Sequence, residues 1–228
     1  MRARKLTALA AVALAVAGLS ACRSNVGAAA VIDGHRISES DVHTYLTPQG
    51  PSAAGLANFP TLNPQSVALN TIVQERVFTL TLTHTAGGLP SDTELRANHD
   101  QAAATLIGSS VTGAQYDSQV AATLTSYGLN QKLLSFVVRD LDLEYALITR
   151  TKATTVADVA KAIAQQHITV SVNPAYGTWS ASDFRLAPPT TAAGSTAPCP
   201  AVSAACPSGF LILPSAAPSA APSAAPTG

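Results

Sequence analysis

Gln65-Ser66-Val67-Ala68-Leu69-Asn70-Thr71-Ile72-Val73-Gln74-Glu75-Arg76-Val77-Phe78-Thr79-Leu80-Thr81-Leu82-Thr83-His84-Thr85-Ala86 is the stretch on which the fold turns. Within it Leu69, Val73, Val77 and Leu80 recur at helical spacing, and Gly87-Gly88 behind it is a good helix stop. The second half argues the other way. Phe78-Thr79-Leu80-Thr81-Leu82-Thr83 alternates with period two, the pattern of a half-buried strand. Length favours the helix, because a strand this long would be unusual. A helix so rich in threonine is intrinsically weak and has to be held by packing.

Downstream, helical signals follow one another. Ser91-Asp92-Thr93-Glu94 matches a capping box and opens a helix to about Ile107. Thr112 or Gly113 starts another, which ends near Tyr127-Gly128. Leu134, Val138, Leu141, Tyr145 and Ile148 form an apolar stripe on a long helix from about Asn130 to Thr149. Thr155 can cap a further helix with Val156, Val159, Ala160 and Ile163 on one face. Ile168-Thr169-Val170-Ser171-Val172 alternates and reads as a strand, broken by Asn173-Pro174-Ala175-Tyr176-Gly177.

Upstream, Ala28 to Ile37 reads as two short extended pieces around Asp33-Gly34, the strongest short hairpin signal. Ser38 is an N-cap for a brief helix through Leu46, with Glu39 and Asp41 in its first turn. Pro48 to Pro64, rich in Pro, Gly and Asn, reads as a loop.

The two ends are of a different kind. Arg2, Arg4 and Lys5 followed by the apolar run Leu6 to Gly18 make residues 1–21 a secretory signal peptide. The run is mostly alanine and shorter than the roughly 20 residues a bilayer-spanning helix needs. Leu19-Ser20-Ala21-Cys22 resembles the bacterial lipobox, which implies a lipid on the Cys22 thiol and cleavage before it. Each buried methylene contributes about 0.8 kcal/mol, so two or three acyl chains hold firmly where one holds marginally. The expected residence is therefore the extracytoplasmic face of the cell membrane. Residues 22–27 are a short tether, 28–186 a helical domain and 187–228 a low-complexity tail. The tail carries no charge and ends in repeated Ser-Ala-Ala-Pro, which cannot build a core. Within it Gly209-Phe210-Leu211-Ile212-Leu213 is either a strand that docks back on the domain or an apolar patch in a disordered segment.

Composition narrows the partners. The chain has 13 basic and 13 acidic side chains; removing the signal deletes three basic ones, so 10 against 13 leaves a net charge of −3. That is no footprint for nucleic acid. About 160 residues between anchor and tail suffice for one modest core, and with only 5% aromatic residues that core must be aliphatic. With Cys22 assigned to lipid, Cys199 and Cys206 remain as an even pair in an oxidising compartment and are a candidate disulfide, free thiols being the alternative. A bridge there would restrict the unfolded chain by about 2.5 kcal/mol.

Two stretches resemble one known family. Ala29-Ala30-Val31-Ile32-Asp33-Gly34-His35-Arg36-Ile37-Ser38-Glu39-Ser40-Asp41-Val42 resembles the opening of SurA-type periplasmic chaperones, where a short strand and an Asn/Asp-Gly turn precede a capped helix. Ala68 to Val77, a glycine break and Ser91-Asp92-Thr93-Glu94-Leu95 are similar to the second helix, turn and third helix of that family. Val170 to Trp179 looks like its closing segment, which returns beside the first strand. The resemblance covers about half the mature chain. It implies a mainly helical domain with a small β pairing, binding unfolded clients on apolar surface, and it reads 65–86 as helix. Many relatives carry a parvulin isomerase module. No segment between Ile107 and Val170 has that pattern, which argues against isomerase activity.

His35, His43, His84, His99 and His167 are scattered with no ligand spacing, so each reads as a surface or partly buried side chain, and no metal or cofactor is expected. No phosphate loop and no Gly-x-Ser-x-Gly elbow occurs. Asp140, Asp142 and Glu144 lie close on the long helix. Residues 140 and 144 share a face, read as a solvated charged face rather than a carboxylate dyad. The expected function is a non-enzymatic, lipid-anchored chaperone-like protein that binds unfolded or exported polypeptides; the alternative is an envelope scaffold that binds one folded partner.

Overall fold

Threonine hydroxyls decide the contested stretch. A computed structural model describes residues 27–58 and 63–187, and in it Pro64–His84 is one continuous helix, α3. The hydroxyls of Thr71, Thr81, Thr83 and Thr85 each donate to the carbonyl four residues back, at 2.7–3.2 Å. These bonds give the hydroxyls partners inside the helix; what offsets its weak propensity is packing on the central helix. The period-two pattern is then incidental: the face that meets the core is Leu69, Val73, Val77, Phe78 and Leu82. Asn63 caps the start, its Oδ1 accepting from Gln65 N–H at 3.0 Å, with Pro64 in the first turn.

The remaining elements run β1 (Ala28–Ile32), β2 (His35–Ser38), α1 (Glu39–His43) and α2 (Ala53–Asn58) before α3, then α4 (Asp92–Leu106), α5 (Gly113–Ser126), a 3-10 turn (Gln131–Leu133), α6 (Leu134–Thr151), α7 (Val156–Ala164), β3 (Val170–Val172), β4 (Thr178–Ser180) and β5 (Arg185–Ala187). The described chain is mainly helical with two small antiparallel sheets. Helix α6 is its axis, with α3 and α4 packed most extensively on it and α5 and α7 on its remaining sides. Leu133, Leu143 and Leu147 on or beside that axis are fully buried.

The hairpin signal holds. Val31 pairs with Arg36 and Ile32 with His35 around Asp33 and Gly34, whose φ values of 48° and 79° give the left-handed turn that matches strand twist. Strand β1 is the centre of the order β2-β1-β3, because Ala30 to Ile32 also pair antiparallel with Val172 to Val170. Its side chains Ala29, Ala30 and Ile32 are buried against α3.

Several expectations need correction. The stretch 48–64 is not all loop, since it contains α2 and Pro64 already belongs to α3. Ser91 Oγ accepts from Glu94 N–H at 3.2 Å, but the Glu94 carboxylate meets Arg150 of α6 at 3.3 Å instead of closing the capping box. The stripe foreseen on α6 is too narrow. Of its five members only Leu141 is buried, and Val137, Leu143 and Leu147 carry the contact, because a central helix meets protein on several sides. Thr178 and Trp179 do not extend β3 but pair with Ala187 and Leu186 in a separate hairpin, β4–β5. That hairpin docks on α3 through Phe184, whose ring meets Phe78 edge-on with centroids 5.9 Å apart, and through Leu186 N–H donating to Asn70 Oδ1 at 2.8 Å. Among the described residues no helix is long and apolar enough to cross a membrane.

Candidate functional site

Because α6 is both central and charged, its polar side chains cannot all reach water. Arg139 takes two carboxylates: its Nε donates to Glu75 Oε1 at 2.9 Å, and its Nη1 bonds Asp92 Oδ1. Asp142 points toward α4, where its Oδ1 lies 2.7 Å from His99 Nδ1 and is 5% exposed as a residue. Asp140 and Glu144, one turn apart, face a cavity. The expected solvated face is met only in part: Asp140 and Glu144 keep some exposure but line a cavity wall instead of open surface, because several elements pack around α6. The expectation that 140 and 144 share a face is met.

His99 joins two carboxylates. Its Nε2 lies 3.2 Å from Asp117 Oδ1 of α5, so the imidazole ties α4 to α5 as well as to α6. Burial pulls the imidazole toward neutrality. The Asp142 hydrogen bond and the charges of Asp142 and Asp117 outweigh it, and the net shift is upward. Burial raises the Asp142 carboxyl, and His99 partly offsets this. A histidine whose folded pKa lies above its unfolded value of about 6.5 stabilises fully below that value and loses the contribution as pH rises through the folded pKa. His99→Gln is thus expected to cost about 1–3 kcal/mol near pH 6, with a smaller loss on the alkaline side. Urea unfolding across that pH range checks it; an equal loss at every pH would remove the ionic part of the argument.

The cavity has a volume of about 590 Å³ and opens between α3, α4, α6, α7 and the β4–β5 turn. Phe78, Leu106, Ile107, Val137, Ile148 and Val159 supply its apolar walls. Its size is within the range of ligand pockets, and Gln74, Thr105, Tyr116, Asp140, Glu144 and Asp183 add polar groups to the apolar walls. Asp140 and Glu144 keep partial exposure as residues, yet Asp140 Oδ1 is sealed and accepts no hydrogen bond. Burial, then the charges of Glu144 and Glu75, push the Asp140 carboxyl well above the usual range. Burial also raises Glu144. Gln74 in the same wall is braced by Asn70, whose Nδ2 donates to Gln74 Oε1 at 2.6 Å. Val156, the first residue of α7, lines the cavity while 66% exposed, an apolar side chain of a size usually hidden.

Of the residues singled out in the sequence, the structure brings together Asp140 and Glu144, and separately His99 and Asp142. His35, His43, His84 and His167 are exposed and apart. Among the described residues no group of three His, Cys, Asp or Glu is arranged to hold a metal ion. Cys22, the pair Cys199 and Cys206, and Gly209 to Leu213 lie outside the described residues. Sequence reasoning missed the cavity itself, because its walls come from α3, α4, α5, α6, α7 and the β4–β5 turn. Comparison with protein-family models, with curated proteins and with solved structures finds no match.

Proposed function

We propose that this chain is a lipid-anchored, extracytoplasmic chaperone-like protein that binds unfolded or exported polypeptide segments and catalyses no reaction on them. The observation that carries the reading is the cavity. Its apolar walls and the exposed Val156 beside it offer a place where client side chains leave water, and each buried methylene contributes about 0.8 kcal/mol. The signal sequence and Cys22 support the location. A SurA-like arrangement agrees with the helical domain and its β1–β3 pairing, and the absence of a parvulin pattern supports binding without isomerisation.

One feature favours a second reading. Two carboxylates inside the cavity make it selective, and a selective site suits an envelope adaptor for one partner as well as a holder of many clients. Aggregation of an unfolded client at stoichiometric chaperone levels tests the first reading, and in-cell cross-linking separates the two: many adducts favour the chaperone, one dominant adduct the adaptor. No suppression and no cross-link would refute both. Cys22→Ala is expected to move the protein from the detergent to the aqueous phase; unchanged partitioning would refute the lipid anchor.

A further inference from the structure

We infer that the cavity is cation-selective: the polypeptide segment it receives carries a lysine or arginine whose charged head is neutralised by Asp140 and Glu144. This rests on the polypeptide-binding reading above and specifies its client. Two carboxylates one helical turn apart repel, and apolar walls deprive them of the water that would screen them. Among the described residues neither forms an ion pair, although Arg139 is next to Asp140 in sequence and is committed to Glu75 and Asp92. Asp140 Oδ1 is sealed and accepts nothing, so the fold gives that carboxylate no partner; what an occupant can meet is the partly exposed remainder of Asp140 and of Glu144 that lines the cavity. An anionic or purely apolar occupant would isolate both carboxylates further, whereas a cation would satisfy them.

The walls say which cation. A compact metal ion needs more oxygen ligands than this pair offers. The nearby Tyr116 phenol is held protonated by burial and by the surrounding carboxylates, and Glu75 is occupied by Arg139. Lysine and arginine instead carry three or four methylenes below the charge. That stem fits the apolar surface of Phe78, Leu106 and Ile107 while the head reaches α6. The groups facing the bound charge would be Asp140 and Glu144 from α6, Tyr116 from α5 and Asp183 from the β4–β5 turn, with the Glu75–Arg139 pair behind the wall acting on Asp140 through charge alone. Because the two α6 carboxyls hold their protons above the usual range, a bound cation must displace protons, so affinity rises with pH through that range and binding releases protons.

The test uses the full lipidated chain in detergent micelles and three peptides that share one apolar sequence, with lysine, arginine or uncharged norleucine at the centre. Calorimetry is expected to give about tenfold or more tighter binding for the two basic peptides, with proton release that differs between buffers of different ionisation enthalpy. In Asp140→Asn and Glu144→Gln the preference for the basic peptides disappears, while the thermal midpoint at neutral pH rises because a carboxyl that burial holds away from its ordinary ionisation has been removed. Equal binding of all three peptides would overturn the cation inference and leave the polypeptide reading standing. No binding of any peptide would overturn both. Binding of butylammonium without any peptide would sustain the cation site but overturn its assignment to a polypeptide.

Discussion

Gly128→Ala is expected to destabilise the domain by about 3–5 kcal/mol, the sum of a left-handed backbone and several broken hydrogen bonds. Gly128 follows α5 with φ at 72°, and a Cβ built there would sit 2.3 Å from the Gly50 carbonyl carbon and 2.5 Å from Pro51 N. Both are backbone atoms, so no side chain can swing aside. Relief requires the segment around residue 50 to lift away. That strains Thr47 N–H to Gly128 O at 2.8 Å, Asn130 N–H to Tyr45 O at 2.8 Å and Ser52 N–H to Ser126 O at 2.9 Å. Left-handed backbone alone costs an L residue about 1–2 kcal/mol, and each lost hydrogen bond about 1 kcal/mol more. Chemical denaturation measures the loss. A change below about 1 kcal/mol would mean that the segment before α2 is not held against the end of α5.

Phe78→Ala should cost about 3–5 kcal/mol, the usual range for deleting a buried aromatic side chain, and lower the thermal midpoint by on the order of 10 °C. Phe78 is 2% exposed and supports two things at once: the wall of the cavity and the seat of the Phe184 ring. Its loss removes the edge-on contact that ties β4–β5 to α3. Limited proteolysis should therefore begin near Phe184 in the variant before the helices are cut. If the midpoint falls but the hairpin stays as protected as before, Leu186 and Asn70 rather than the ring pair hold it down.

What was legible in the sequence is what local chemistry decides. Ser38, Ser91, Thr112 and Thr155 each accept the N-cap hydrogen bond expected of them, from Asp41, Glu94, Gln115 and Asp158. Asp33-Gly34 turns as its residue types require, and of the alternating stretch 168–172 the part Val170–Val172 pairs with the first strand. The helix over 64–84 could be argued from length, but the hydroxyl bonds that make it tolerable are visible only once it is built. The β4–β5 hairpin escaped because its strands have three residues each, too few for a periodic signal. The site escaped for another reason. Asp140 and Glu144 read as a solvated face, although on a helical wheel they fall between Phe136, Leu147, Val137 and Ile148, inside the apolar arc of the helix. Charges within an apolar arc face protein and must be explained by protein neighbours. That inference was available from the sequence; the cavity they face was not.

The position of β1 has a bearing on how the chain assembles. Strand β2 follows it at once, but the partner on its other edge arrives near the end of the domain: Asn173 reaches the Ala28 carbonyl across 145 positions of sequence. A polypeptide made and delivered from its N-terminus exposes the apolar edge Ala28-Ala29-Ala30-Val31-Ile32 long before Val170 to Val172 emerge. An unpaired edge of this kind recruits strands from other molecules. The pairing that closes the most vulnerable surface thus forms only after α1 to α7 have all emerged. Nascent chains stopped before Val170 should associate with one another, and chains that extend past Val172 should not.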